Sequence, residues 1–212
     1  MDTNVITRYR VTYSKKAALR FSGHLDMQRL WVRALRRAVL PIRYSQGFSP
    51  KACLNLASAL PLGYVSSCEV LDFWMDEHWN AENVQLVLQK TIPPDLVINS
   101  ICIVNNDLPS LQASVTASEF RVTFPPSINF KVLSEKMALL KAAPSIMRSK
   151  RGKTYDLVPL VEDMEAIQID SRPALLIRMS ARPGATGRPD EILDAMGMDP
   201  NDCLIERTGL IF

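Results

Sequence analysis

The sequence lacks the closely spaced cysteines and histidines that mark metal and cluster sites. Its four cysteines lie far apart, with no C-x-x-C spacing, and its only histidines are His24 and His78. Zinc and iron–sulfur sites use such residues in tight groups. We therefore expect this chain to bind no metal and no cofactor of its own. Neither a P-loop nor a dinucleotide-binding fingerprint occurs in it.

Long apolar runs and a large net charge are missing as well. No run approaches the roughly 18 apolar residues of a membrane-spanning helix, and the N-terminus lacks the basic-then-apolar pattern of a signal peptide. With 47% hydrophobic and 22% charged residues, the composition is that of an ordinary globular protein, and we expect it in the cytoplasm. The net charge of +3 is by itself too small to indicate a nucleic-acid partner.

Two halves of the chain repeat one pattern. Residues 9–13 read Tyr-Arg-Val-Thr-Tyr and residues 120–124 read Phe-Arg-Val-Thr-Phe, and both runs alternate as strands do. An apolar stripe then predicts a helix in each half, from about Leu25 to Val39 and from Phe130 to Ala142. With the later segments, each half reads β-α-β-β-α-β, which is the ferredoxin-like order. The sequence predicts an α+β fold of two tandem ferredoxin-like units with antiparallel sheets.

The later segments complete this pattern. In the first half we predict strands at 42–44, 69–75 and 96–104 and a helix at 81–90 capped by Asn80. In the second half, the strand after the helix lies either at 154–158 or at 166–169, followed by a strand at 175–179, a helix at 189–196 and a strand at 203–207. Residues 105–118 have the composition of a linker. The predicted domains are therefore 1–106, with a long functional loop at 44–63, and 117–212, a more degenerate copy.

The loop at 44–63 carries much of the functional information. Loops of this length in compact domains are usually functional or disordered. This one alternates apolar residues with Gly and Pro, which favours an ordered structure. Gly47 permits a positive φ, and Phe48 is suited to anchor the loop or to stack on a base. An elaborate hairpin that binds no ligand is the alternative.

The first predicted helix has a basic face opposite its apolar stripe. Arg29, Arg33, Arg36 and Arg37 concentrate positive charge in the way that phosphate binding requires, although a solvated face is the alternative. His24 and Asp26 lie at the start of the helix, where free backbone N–H groups favour anions. The candidate RNA- or partner-binding residues are Arg20, His24, Asp26, Arg29, Arg33, Arg36, Arg37, Tyr44, Gln46, Gly47, Phe48 and Lys51.

Four runs of the first half resemble one known family. They are Phe-Ser-Gly-His-Leu-Asp at 21–26, Arg-Ala-Leu-Arg-Arg-Ala-Val-Leu-Pro at 33–41, Tyr-Ser-Gln-Gly-Phe-Ser-Pro at 44–50, and Ala-Leu-Pro-Leu-Gly at 59–63 with Glu69 and Asp72 beyond. They resemble the radical SAM-linked domain family, which has no established activity. The resemblance spans about residues 8–76 and implies a radical SAM enzyme as partner.

The sequence departs from that family at one place. The family tends to show Asn-Pro-His-Pro after the run at 44–48, whereas this chain has Ser-Pro-Lys-Ala at 49–52. If the family's histidine were catalytic, this chain would lack it. The C-x-x-x-C-x-x-C motif of radical SAM enzymes is also absent, so this chain does not itself hold that cluster.

Three functions fit these observations. The first is a non-catalytic accessory module that presents an RNA or ribonucleoprotein substrate to a separate radical SAM enzyme. The second is a docking subunit without RNA, using exposed Phe48, Leu60 and Leu62. The third is a metal-independent endoribonuclease resembling CRISPR RNA-processing enzymes, with His24 as base, Tyr44 or Lys51 stabilising charge, and a poorer glycine loop at 184–187. The sequence favours a binding module over an enzyme.

Overall fold

The computed structural model describes residues 6–150 and 152–212; residues 1–5 of the first predicted domain lie outside it. The chain divides into two compact units, of which the first ends at Ser114 and the second begins at Val115. We call them unit 1 and unit 2.

Unit 1 has the element order β-α-β-β-α-β followed by one helical turn. The elements are β1 (Thr7–Lys15), α1 (His24–Arg37), β2 (Leu54–Leu56), β3 (Val65–Met75), α2 (Ala81–Gln89), β4 (Leu96–Val104) and α3 (Leu111–Ser114). The strands pair antiparallel in the order β2-β3-β1-β4. The predicted apolar stripe of α1 is confirmed, because Met27, Trp31, Ala34 and Leu35 are buried in the core that α1 shares with this sheet.

One tertiary contact and one local cap position the helices of unit 1. The ring of Trp31 packs edge-on against Tyr13 of β1, with 4.9 Å between ring centroids, which fixes α1 on the sheet. Helix α2 begins where predicted, since the side chain of Asn80 accepts a hydrogen bond of 2.8 Å from the N–H of Glu82.

Unit 2 repeats the order and adds a separate hairpin. Its elements are β5 (Ala117–Thr123), α4 (Phe130–Ala142), β6 (Met147–Lys150), β7 (Lys153–Asp156), β8 (Val161–Ile169), β9 (Arg172–Arg182), β10 (Ala185–Thr186), α5 (Pro189–Ala195) and β11 (Leu204–Ile211). The sheet order is β8-β9-β5-β11, again antiparallel, with β10 paired to the end of β9. Strands β6 and β7 pair only with each other among the described residues.

The predicted mixed α+β class with antiparallel sheets is confirmed. Both candidate strands that the sequence left open in the second half exist. Residues 154–156 belong to the separate hairpin, and residues 166–169 belong to β8 of the main sheet.

Three predictions in unit 1 were wrong in detail. Residues 42–44 form isolated bridges from Ile42 and Tyr44, and the sheet strand is β2, inside the predicted loop at 44–63. Leu54 and Leu56 point into the core on either side of Asn55, a period of two that the neighbouring Pro and Gly residues obscured. Leu60, predicted to be exposed for docking, is buried.

The predicted linker at 105–118 is also more ordered than expected. Arg8, itself buried, donates hydrogen bonds to the backbone carbonyls of Leu108 at 2.7 Å and Pro109 at 3.0 Å. Leu111 of α3 is fully buried. The first part of this stretch therefore belongs to unit 1, since satisfying the Arg8 guanidinium requires these carbonyls.

Candidate nucleic-acid interface

A basic groove runs along α1 in unit 1. Its volume is about 670 Å³, and α1 contributes Asp26, Arg29, Leu30, Arg33 and Arg37 to its wall. The opposite side comes from Lys90, which caps α2, and from the following residues 91–93, and the near end comes from Leu19 and Ser22. The groove therefore combines a row of cations with apolar side chains. We call it the arginine groove.

The spacing of the arginines explains the row. Arg29, Arg33 and Arg37 are four residues apart, so they share one helix face and rise about 6 Å from one to the next. The Asp26 carboxylate lies 4.0 Å from Arg29, and both side chains are exposed, so their attraction is weak. Arg33, Arg37 and Lys90 form no ion pair with any described residue. The groove thus keeps unneutralised positive charge.

Four residues of the predicted binding set lie in or just before α1 but outside the row of groove arginines. Asp26 accepts a hydrogen bond of 3.0 Å from the N–H of Gly23, which caps the first turn of α1. His24 is half-buried as the first helical residue and lines neither the arginine groove nor the pocket described below. Arg36 is exposed on α1 outside the groove. Arg20 lies over the ring of Phe21, 4.7 Å from its centroid.

The segment at 44–63 folds into an ordered hairpin, and its end is hydrogen-bonded to the chain before α1. Tyr44 bridges Ala52, and the N–H of Ser45 donates to the carbonyl of Lys51 at 2.8 Å. Gly47 turns the chain with a φ of 120°, which favours glycine. At the far end of the segment, the N–H of Gly63 donates to the carbonyl of Arg20 at 2.7 Å, which ties the segment to the 3-10 turn that precedes α1.

The tip of this hairpin presents an aromatic ring to solvent. Phe48 is fully exposed, Gln46 is exposed beside it, and Tyr44 is partly exposed at the base. A large apolar side chain held in this way by an ordered turn suits contact with a partner or a base. We call residues 45–51 the Phe48 hairpin.

A second cavity, the hairpin pocket, lies beneath the Phe48 hairpin, within unit 1. Its volume is about 720 Å³. The Phe48 hairpin, β2 and the two residues between them contribute Ser45, Lys51, Ala52, Cys53, Leu54 and Asn55 to it. Its wall also includes Ile6, Gln28, Arg43, Trp74 and Asn106. The Trp74 indole N–H donates to the side-chain oxygen of Asn106 at 3.2 Å.

The structure brings only part of the predicted set together. Arg29, Arg33 and Arg37 share the arginine groove with Asp26, and Lys51 lies in the hairpin pocket. The sequence analysis missed Gln28, Asn55, Trp74 and Lys90 as lining residues. Asn55 carried a usable signal, because a polar residue alternates there with two core leucines. The other three come from separate elements, which local patterns do not connect.

Asp72, one of the residues that carry the family resemblance, is structural. It is fully buried in β3 and accepts hydrogen bonds from the guanidinium groups of Arg8, at 2.6 and 2.8 Å, and Arg10, at 2.9 Å. The hydrogen bond from Arg10 to Asp72 raises the pKa of that guanidinium. This cluster holds β1, β3 and the stretch after β4 together, and it adjoins the hairpin pocket, because the Arg8 guanidinium lies over the Trp74 ring, 5.2 Å from its centroid.

Unit 2 contains a smaller cleft of about 480 Å³ that includes Cys203, Asp199 and Asp202. Burial and the two carboxylates raise the pKa of the Cys203 thiol to about 11. The thiolate is the reactive form of cysteine, and the raised pKa disfavours it at neutral pH. The described residues contain no cluster of His, Cys, Asp or Glu able to hold a metal ion. In the described part of the chain, no helix is long and apolar enough to cross a membrane.

Comparison with known proteins identifies a family without a described activity. No curated protein matches the sequence. The crystal structure of an unknown protein from Galdieria sulphuraria aligns with 98% of this chain and 100% of its own at 11% identity. Its TM-score of 0.29 is too low to bear on the fold. A family model matches residues 8–189, and the chain therefore belongs to the family described as an uncharacterized protein conserved in bacteria, DUF2344.

Proposed function

We propose that this protein is a cytoplasmic, non-catalytic accessory module that binds an RNA or ribonucleoprotein substrate and presents it to a separate radical SAM enzyme. The observation that carries the RNA-binding part is the arginine groove. Arg29, Arg33, Arg37 and Lys90 line it, and among the described residues Asp26, weakly paired, is the only carboxylate in its wall. The enzyme partner rests on the resemblance of residues 8–76 to the radical SAM-linked family.

The chemistry of the groove suits a single strand of RNA. Guanidinium groups bind phosphate oxygens bidentately, and each contact releases counterions. The apolar side chains of Leu30 and Ile92 offer surface to ribose and bases. Phe48 adds a ring on which an unpaired base stacks. The module contributes positioning, and any cofactor belongs to the partner enzyme.

The salt dependence of RNA binding tests this part. We compare the wild-type chain with Arg29/Arg33/Arg37→Ala, using single-stranded RNA at several salt concentrations. The matched control is Lys131/Lys141/Arg172→Ala, which removes the same charge from exposed positions of unit 2. Three lost phosphate contacts lower the slope of log affinity against log salt by about 2 for single strands.

The expected result is a smaller slope for the groove variant and a wild-type slope for the control. Equal slopes for both variants would show that only net charge matters and would overturn the groove as the footprint. Absence of RNA binding by the wild-type chain would overturn the RNA part altogether.

A docking subunit without RNA is the second candidate, and one observation favours it. Phe48 and Leu62 are exposed at the two ends of the 44–63 segment, although Leu60 is not available. Capture of a radical SAM enzyme by the wild-type chain but not by Phe48→Ala, with no RNA bound, would support this candidate over the first. No geometric observation supports the endoribonuclease alternative, since His24 lines neither cavity. An assay for RNA cleavage that persists in EDTA and requires the 2′-OH tests this alternative.

We also infer that each unit is a ferredoxin-like unit. The support is the shared element order and the strand order, second-third-first-fourth in both sheets. In each unit a hairpin is inserted between the first helix and the second sheet strand.

A further inference from the structure

The walls of the arginine groove hold few groups able to read a base edge. Among the described residues that line it, the uncharged polar side chains are those of Ser22 and Thr91. The Thr91 hydroxyl is already engaged, since the carbonyl of Leu88 lies 2.8 Å away and that of Ala34 lies 3.0 Å away. The Ser22 hydroxyl both donates and accepts, so it does not distinguish one base from another. The groove therefore lacks a group that selects a base sequence.

The arginine row suits the phosphates of one strand. Arg29, Arg33 and Arg37 follow one another at intervals of four residues, so the row extends about 12 Å along α1. Guanidinium groups bind phosphate oxygens. Because riboses link consecutive phosphates, a strand that places its phosphates on this wall brings its riboses to the same wall. The bases then point to the opposite side, where Ile92 and Pro93 offer an apolar surface.

Asp26 places a carboxylate beside this row. It precedes Arg29 by three residues, so the two share a helix face and lie about 4.5 Å apart along the helix axis. One carboxylate oxygen of Asp26 accepts the N–H of Gly23 at 3.0 Å. The other, Oδ1, lies 4.0 Å from the Arg29 guanidinium, beyond hydrogen-bonding distance, and has no hydrogen bond with a described residue. This oxygen is free to accept a hydrogen bond.

The donor that meets this oxygen is a ribose hydroxyl. A carboxylate accepts hydrogen bonds and donates none, so its partner must carry a proton. The ribose next to a phosphate on Arg29 carries a 2′-hydroxyl, which is the group that distinguishes RNA from DNA. With DNA, the Asp26 carboxylate faces the negative backbone without this hydrogen bond. The wall thus favours RNA by its sugar.

The fold does not require this combination, because the corresponding cleft of unit 2 lacks it. That cleft is lined by α4 and by the residues before α4 and after α5, as the arginine groove is lined by α1 and by the residues before α1 and after α2. The third and seventh residues of the helix are Val132 and Lys136 there, and Asp26 and Leu30 in α1. No arginine is among the described residues that line the unit 2 cleft.

We propose that the arginine groove recognises the backbone of single-stranded RNA and not its base sequence. The arginine row binds successive phosphates, and the Asp26 carboxylate accepts a hydrogen bond from a ribose 2′-hydroxyl. This deepens the proposed function and rests on it, because it names the class of RNA that the module holds.

The test compares short single strands that carry the same fluorescent label. Four are RNA decamers: oligo-U, oligo-A, oligo-C and a mixed sequence that contains guanine. The fifth is the decamer of deoxyuridine, which has the base of oligo-U and lacks only the 2′-hydroxyls. Fluorescence anisotropy with the full chain gives the affinities at one low salt concentration, because phosphate contacts weaken steeply with salt.

Asp26→Asn isolates the free acceptor. The Asn oxygen keeps the hydrogen bond from Gly23, and the amide nitrogen then stands in place of Oδ1 and does not accept. The matched control is Glu82→Gln, which removes one exposed carboxylate from the first turn of α2, outside the groove. Circular dichroism checks that each variant keeps its helix content.

We expect the wild-type chain to bind oligo-U about 10-fold more tightly than the deoxyuridine decamer, the effect of one hydrogen bond to a charged acceptor. In Asp26→Asn both affinities should rise, because a carboxylate that repels phosphate is gone, and the ratio between them should fall nearly to unity. Glu82→Gln should keep the wild-type ratio. The four RNA decamers should bind within about 5-fold of one another.

Equal wild-type affinities for oligo-U and the deoxyuridine decamer would overturn the proposal, and so would an unchanged ratio in Asp26→Asn. A preference of more than about 10-fold for one RNA sequence would also overturn it, since the groove would then read bases. In each of these cases RNA still binds, and the proposed function stands. Absence of binding by every strand would overturn the proposed function itself and this inference with it, so the two failures are distinguishable.

Discussion

Units 1 and 2 share an element order but differ in how their charges are used. Unit 1 has 12 Lys and Arg against 9 Asp and Glu, and unit 2 has 13 against 13, so the whole net charge belongs to unit 1. On α4, two of the three lysines are engaged: the Lys136 ammonium donates to the carbonyl of Met196 at 2.6 Å, and Lys141 lies 3.8 Å from Asp163. Lys131 alone on this helix has no ion-pair partner among the described residues. On α1, Arg33 and Arg37 have no ion-pair partner among the described residues. Availability of the charges, more than their number, makes α1 the candidate interface.

The inserted hairpins differ in the same way. In unit 2, the Tyr155 hydroxyl on β7 donates to the Glu191 carboxylate on α5, which is buried. In unit 1, the Phe48 hairpin ends in a fully exposed ring. One hairpin is anchored to its own unit, and the other presents its tip to solvent.

The largest expected loss of stability comes from breaking the buried ion cluster of Asp72, Arg8 and Arg10 in unit 1. Asp72→Ala leaves the Arg8 guanidinium buried without its carboxylate, and we expect the free energy of unfolding to fall by about 3–5 kcal/mol. The matched change in unit 2 is Glu119→Ala, which removes an exposed cross-strand partner of Arg178 and should cost less than about 1 kcal/mol.

Urea unfolding measures both variants. All three tryptophans lie in unit 1, so their fluorescence reports that unit, and circular dichroism reports both units. Equal losses for Asp72→Ala and Glu119→Ala would contradict the distinction between a buried and an exposed pair.

A second comparison tests the exposed tip. Phe48→Ala should weaken RNA binding by about 1–3 kcal/mol, the cost of losing one stacked base, without changing stability. Leu139→Ala removes a similarly exposed apolar side chain from α4 and should leave RNA binding unchanged. Fluorescence anisotropy with a short labelled RNA measures both, and an unchanged affinity for Phe48→Ala would remove the ring from the interface.

A third comparison concerns the anchored hairpin of unit 2. Tyr155→Phe deletes the hydrogen bond to Glu191 and should lower stability by about 1–2 kcal/mol at neutral pH. Burial and the Glu191 carboxylate raise the pKa of Tyr155 to about 12, above its unfolded value near 10.

The raised pKa gives this contribution a pH dependence. The stabilisation by the Tyr155–Glu191 hydrogen bond is complete below pH 10. It is lost as the pH rises toward 12, because the unfolded state loses the phenolic proton of Tyr155 first. The stability difference between wild type and Tyr155→Phe should therefore shrink over that interval. A difference that stays constant from pH 9 to about 12 would contradict the raised pKa.

The smallest expected changes in stability concern the residues that follow two helices. Helix α1 is followed by Val39 with a φ of 56°, and α5 is followed by Gly197 with a φ of 67°. Val39→Gly should stabilise unit 1 by about 1 kcal/mol, since a β-branched residue is strained there, and Gly197→Ala should destabilise unit 2 by a similar amount. Thermal unfolding measures both shifts, and a destabilised Val39→Gly would contradict the strain.

Helices were the most predictable part of the fold, because their signals are local. Helix α4 has the predicted bounds, and α2 starts after its predicted cap at Asn80. Strand β2 was missed because it has only three residues and depends on pairing with β3, which begins after the 44–63 segment ends. The order within residues 105–114 was missed for a similar reason, since its anchor, Arg8, is in β1.

The sequence by itself determined the amphipathic elements, the repeated order of the two halves and the row of arginines on α1. Periodicity within one element specifies these features. Only the tertiary structure decided which charges stay unpaired and which polar residues meet. Lys90 joins the arginine groove from the end of α2, and the hairpin pocket is lined by residues of several elements, among them Gln28, Asn55 and Trp74. Contacts between distant segments depend on the packing of whole elements, which no local pattern contains.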